Sequence, residues 1–215
     1  MTLTTSLFIA TSLLMAYCCW RALCRRREAF IADYRFPERL RIKLAERYPH
    51  LSTQQIQQVL TGLREYFQLC RMARRRMVAM PSQAVDVAWH EFILYTRQYR
   101  DFCNKGLGRF LHHTPNDAMP HSQAANAGIR RAWRLACARE SIAPRQPTRL
   151  PLLFALDAEL GIADGFIYRL DCGASGAAGA YCASHIGCSS GCAGTGCSGS
   201  GGDSGGGGGC GGGCD

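Results

Sequence analysis

No charged side chain occurs before Arg21, and no Lys or Arg occurs after Arg169. Lysine is nearly missing throughout: of the 25 Lys and Arg, only Lys43 and Lys105 are lysine. The first absence leaves residues 1–20 without the charges that keep a helix in water. The second confines the positive charge to residues 21–170, with 25 cations against 13 acids, while the tail carries three acids alone. Recognised catalytic signatures are also lacking: there is no G-x-S-x-G elbow, Walker loop or dinucleotide fingerprint. His90-Glu91 is followed by Phe92-Ile93-Leu94, so the H-E-x-x-H zinc pattern fails at its second His. No alternating run is long enough to predict a sheet. At 47% apolar and 19% charged residues, the chain can still build a packed core. Such a division of character excludes a uniform soluble enzyme and a compact disulfide-framework miniprotein.

What is there falls into three regions: 1–24, 25–170 and 171–215. Residues 1–20, MTLTTSLFIATSLLMAYCCW, are followed at once by Arg21 and Arg25-Arg26-Arg27. Twenty helical residues reach roughly 30 Å, one hydrocarbon thickness. Tyr17 and Trp20 stand where an aromatic interface belt is expected. A cleaved secretory signal would carry its basic residues before the apolar run and a small-residue cleavage site after it. Neither is present, so the expectation is a single uncleaved transmembrane anchor. Positive charge kept on the cytoplasmic side then puts the amino terminus outside and residues 21–215 in the cytoplasm of a bacterial inner membrane.

The middle region reads as all-α, a small domain of about five helices. Phe36-Pro37-Glu38 has the form of a helix start. Ser52 is placed to cap a second helix with the stripe Ile56, Val59, Leu60, Leu63, Phe67 and Cys70. The strongest periodicity is Val85, Trp89, Phe92, Thr96, Tyr99 and Cys103, alternately four and three apart, which predicts one helix ending at Gly106 and Gly108. Ile129, Trp133 and Cys137 predict a fourth helix. Residues 152–160 predict a fifth, with a turn and a last short helix over 161–170.

The tail holds 18 of the 24 Gly and seven of the 13 Cys: Cys172, Cys182, Cys188, Cys192, Cys197, Cys210 and Cys214. With so few large side chains it cannot offset its ordering entropy, so disorder is expected. The odd cysteine number closes no disulfide set. In a reducing compartment such thiols could capture a soft metal, or the segment could be a solubilising tail without specific chemistry.

Candidate chemistry centres on Asp86 and His90, four apart on one helix face, with His112 and His113 about twenty residues on. A carboxylate and two imidazoles suit zinc or a similar transition metal if the loop returns. Asp86, His90, His112 and His113 are therefore the candidate metal ligands, and no catalytic residue is assigned. On a straight helix Cys103 would face away from His90, so it reads as a small buried residue. Alternatively, His90 is simply a polar neighbour of Trp89. Arginine clusters at 25–27, 71–76 and 130–134 suit phosphate, but no RNP, finger or KH signature accompanies them, so nucleic acid is a weak alternative partner.

The residues Asp86-x-x-Trp89-His90-x-Phe92-Ile93-x-x-Thr96-x-x-Tyr99-x-x-Phe102-Cys103 come first. Gly108-Arg109-Phe110-x-His112-His113-Thr114-Pro115 follow, then Pro151-Leu152-Leu153-Phe154 and Asp157-x-Glu159-Leu160-Gly161-Ile162. Together with the Gly/Cys-rich end, this pattern resembles the core of bacterial glycine-rich domain-containing proteins. The resemblance implies one fold unit over residues 35–172 and assigns no activity. The resulting expectation is a single-pass membrane protein whose helical domain is a non-enzymatic interaction or scaffold module. The alternative is a metal-binding domain or metal-dependent enzyme using His90 with His112 or His113.

Overall fold

The computed structural model describes residues 3–113, 122–170, 181–182 and 186. The expected tail disorder, and the Thr114-Pro115 end of the His-His-Thr-Pro motif, lie outside the described residues. The chain is all-α in character, as its periodicity predicts. Helix α1 runs Leu3–Ala32, α2 Glu38–Arg47, α3 Thr53–Ala73, α4 Gln83–Ile93, α5 Thr96–Phe102, α6 Ser122–Arg139 and α7 Leu152–Glu159. A π-helical turn, Cys103–Leu107, continues α5. Where a last short helix was expected, the chain instead forms strand β1 (Tyr168–Arg169), paired in parallel with β2 (Tyr181–Cys182).

Helix α1 is long and apolar enough to cross a membrane, as an anchor or a signal sequence, and no residue of its apolar window is buried in the fold. Its last turns behave differently. Ile31 is fully buried, and Gly106 lies so close that a Cβ there would come within 2.9 Å of the Ile31 side chain. Gln68 of α3 donates to the Glu28 carbonyl at 2.8 Å. The helix therefore enters the domain without a linker and ends as part of its core.

Helix α3 is the central element, touched by α1, α2, α4, α6 and α7. It starts as the sequence predicts: Ser52 and Gln55 form a reciprocal capping box, which satisfies two exposed amides of the first turn. Every residue of its predicted stripe is buried. At Gly62 a Cβ would lie 2.9 Å from Val85 of α4 and 3.1 Å from Leu156 of α7, so glycine allows three helices to meet there. Around α3 pack Trp89, Phe92, Phe102, Tyr34 and Phe36, with ring pairs such as Phe67–Phe102 and Tyr34–Phe102 both at 4.6 Å. Trp133 is fully buried, with its ring 5.0 Å from Phe154 and its indole N–H on the Pro144 carbonyl.

The helix expected from Val85 to Cys103 is broken. The ladder ends at Ile93, and the Tyr95 amide reaches back only three residues, to Phe92. Leu94 is 71% exposed, and Thr96, a member of the predicted stripe, is exposed as well. The stripe resumes at Tyr99. By breaking, the chain lets both halves bury their aromatics on α3 while turning α5 toward the end of α1.

Candidate metal centre

The site begins at the amino terminus of α4. Ser82 caps that helix, its Oγ accepting from the Val85 amide at 3.3 Å. A second cap comes from α7, where Asp157, only 2% exposed, accepts four hydrogen bonds. The donors are Ser82 Oγ and the Gln83 amide, both at 2.6 Å, Ala84 N–H at 3.2 Å and Phe166 N–H at 3.0 Å. A carboxylate among the first amides of a helix also answers the positive end of the helix dipole. Gly165 permits the close pass that brings Phe166 in, since a Cβ there would sit 2.7 Å from Asp157 Cβ.

With α4 so held, Val85, Trp89 and Phe92 face the core. Asp86 and His90 then project side by side at the edge of that face. The returning chain is fixed by a second device. After Gly108, whose φ of +70° suits glycine, it continues without helix or strand, and Leu111 is tied down from below. Tyr99 Oη donates to the Leu111 carbonyl at 2.6 Å and accepts from Trp89 Nε1 at 3.1 Å. Along this segment Leu111 and His113 turn inward while Phe110 and His112 are exposed. His113 therefore lies against the Trp89 ring at 4.5 Å, while His112 turns to the Phe110 ring at 4.8 Å and is exposed.

Three of the four candidate ligands meet: Asp86, His90 and His113. His90 Nε2 lies 3.0 Å from His113 Nε2, which lies 3.1 Å from Asp86 Oδ1. His90 Nε2 is 3.7 Å from Asp86 Oδ2. Bonds of about 2.0–2.1 Å to a tetrahedral ion place neighbouring ligand atoms roughly 3.3 Å apart. The 3.1 and 3.7 Å separations run to different Asp86 oxygens, and one ligand atom from each residue lies within 4.8 Å of the other two, a spread that a single ion could draw together. His112 is not part of it.

Beside the trio opens a pocket of about 510 Å³, bordered by Met80, Leu111 and Phe166 and by Arg75, Arg76 and Arg109. Two thiols stay beneath it. Burial pushes the Cys70 thiol up to about 12 and raises that of Cys103, so both are neutral and neither offers a thiolate. The break at Leu94 removes the straight-helix geometry that would turn Cys103 away from His90. It is nonetheless fully buried, where its hydrogen-bonding neighbours are Leu111 and Tyr99.

Sequence reasoning missed the two devices that hold the site. Asp157 had a signal: it is the one acid inside the apolar run Leu152–Ala158, at a position that must be buried. Tyr99 fits the apolar stripe, and its hydroxyl as a link between Trp89 and the returning loop has no sequence mark.

No curated protein and no solved structure matches the chain. The family model described as UCP032817-like matches residues 26–186, a span that includes every element of the site, and the chain belongs to the UCP032817-like family.

Proposed function

We propose that this protein is a membrane-anchored metal-binding domain in which Asp86, His90 and His113 hold zinc or a similar divalent transition ion. What carries the reading is the meeting of three ligand-competent side chains, from α4 and the returning loop, at the mouth of a pocket. Two imidazoles and a carboxylate suit zinc or iron(II), and three protein ligands leave a coordination position for water or an anion facing the pocket. A scaffold role alone gives no reason for a half-buried carboxylate and two imidazoles to converge. In the same reading α1 is the anchor, with the arginines after it on the cytoplasmic face of a bacterial inner membrane. Kinship with the glycine-rich domain-containing proteins belongs to it too.

Cobalt titration of the full-length protein in detergent tests the ion site. A His/carboxylate site gives visible absorption without a sulfur-to-cobalt charge-transfer band, which separates it from any capture by the tail cysteines. His90→Ala and His113→Ala are expected each to abolish that absorption, whereas His112→Ala retains it. A parent protein with thiolate-type absorption only, or with a spectrum unchanged by His113→Ala, sinks the proposal.

A further inference from the structure

A second cavity, of about 710 Å³, lies where α1 meets the domain. From α1 it is lined by Arg21, Arg25 and Arg27, and from the domain by Arg74, Arg75 and Arg109. Glu28, its one acid, is already shared between Arg71 at 3.2 Å and Arg139 at 3.3 Å. Among the described residues, none of the six arginines has a carboxylate within ion-pair distance. Trp20 forms the wall at the apolar end, and the Arg74 guanidinium lies over its ring at 5.7 Å. Arg27 is laid across the π-turn, where a Cβ on Gly108 would fall 2.3 Å from its Nη2.

We propose that this groove binds the phosphate-bearing headgroup of an anionic phospholipid. Arg21 to Arg27 cover the first two helical turns after Trp20, roughly 10 Å of rise. A headgroup layer is roughly 5–8 Å deep beyond the hydrocarbon, so the groove mouth sits within it when α1 is inserted. Arginine forks match phosphate oxygens two at a time, and six guanidiniums without a carboxylate, Arg109 bonded to the Arg74 and Phe110 carbonyls and Arg21 to the Tyr17 hydroxyl, repel one another unless an anion enters. The domain-side arginines are separated from the anchor by some fifty residues or more in sequence. Their arrival at its base is a property of the fold rather than of a juxtamembrane charge run. This inference rests on α1 being a membrane anchor, and the test keeps the two apart.

The full-length protein is reconstituted in phosphatidylcholine vesicles containing phosphatidylglycerol, with one or the other lipid brominated on its acyl chains. Trp89 and Trp133 are 4% and 0% exposed, so quenching reports Trp20, which is 46% exposed. Quenching by brominated phosphatidylcholine establishes insertion, and its absence refutes the anchor itself. The expected result is stronger quenching by brominated phosphatidylglycerol. At about 1 kcal/mol, or about fivefold, per arginine near a membrane surface, Arg74→Gln/Arg75→Gln/Arg109→Gln should lower that preference by well over fivefold. Arg75→Glu, at an exposed position, should lower it without threatening the fold. Arg39→Gln/Arg97→Gln/Arg145→Gln removes the same charge elsewhere and should leave the preference in place. Equal loss in that control, no loss in the groove variants, or displacement of the lipid by inorganic phosphate would each overturn the proposal.

Discussion

Replacing Asp157 with Asn tests whether the site is held from α7. The side chain keeps its shape but gives up its charge and one acceptor oxygen, and it turns an NH2 toward amides and a hydroxyl that need an acceptor. Of four hydrogen bonds on the carboxylate, about two survive. A hydrogen bond to an ionised group contributes about 1.5–3 kcal/mol, and a buried donor left unmatched carries a further penalty, so the loss is about 3–5 kcal/mol. For a domain near 150 residues this lowers the melting temperature by about 9–15 °C. Thermal unfolding of the full-length protein in detergent, followed by tryptophan emission, measures it. Asp164→Asn is the control: that carboxylate is half exposed and 4.0 Å from Arg47, so its loss should fall within about 0.5 kcal/mol. Because Asp86 stands one turn into the helix that Asp157 caps, cobalt affinity in Asp157→Asn should fall about tenfold or more, as for other outer groups that orient ligands. A melting temperature within about 2 °C of the parent would refute the latch.

Tyr99→Phe leaves the Trp89 indole N–H and the Leu111 carbonyl unmatched, at a cost of about 2–4 kcal/mol, and His113 should lose order relative to Asp86, read as weaker cobalt binding. Gly62→Val drives a branched side chain into Val85 and Leu156 and should cost about 2–3 kcal/mol in thermal unfolding. The Cys70 thiol is held neutral by burial up to about 12, against an ordinary 9.0, while the unfolded chain ionises earlier. Its contribution is therefore whole below pH 9 and is lost as pH rises toward 12, so stability falls across that window, and Cys70→Ala flattens the slope of melting temperature against pH. In the native protein at pH 8, mass spectrometry should find Cys70, Cys103 and Cys137 unalkylated, all three being buried.

Local chemistry wrote much of this fold into the sequence. The Ser52 capping box, the α3 stripe and the Asp86–His90 spacing depend on neighbours within one or two turns, and each is legible. The helix break at Leu94 is not, because Val85 to Cys103 keep helical spacing on both sides of it and only packing against α3 and α1 forces the turn. Which of His112 and His113 faces Asp86 was equally hidden. Adjacent residues of this loop take opposite sides, and the choice is made by Tyr99 holding the Leu111 carbonyl. The Ser82–Asp157 pair spans 75 residues, and nothing local to either end names its partner.

Charge decides what the open face of the trio would accept. Asp86 supplies one negative charge and two neutral imidazoles supply none, so a divalent ion bound there would leave a net positive centre. Arg75, Arg76 and Arg109 on the same pocket wall add to that potential, with no carboxylate within ion-pair distance of them among the described residues. At such a centre an anion or a hydroxide gains more than a neutral amine, which fixes the class of the fourth ligand. Arg75 and Arg109 also line the groove at the base of α1. A headgroup phosphate drawing those two side chains toward the membrane would lower the positive potential over the ion. Cobalt affinity for an added anion should therefore be weaker in phosphatidylglycerol vesicles than in phosphatidylcholine, and Arg75→Gln/Arg109→Gln should erase the difference by removing the shared cations.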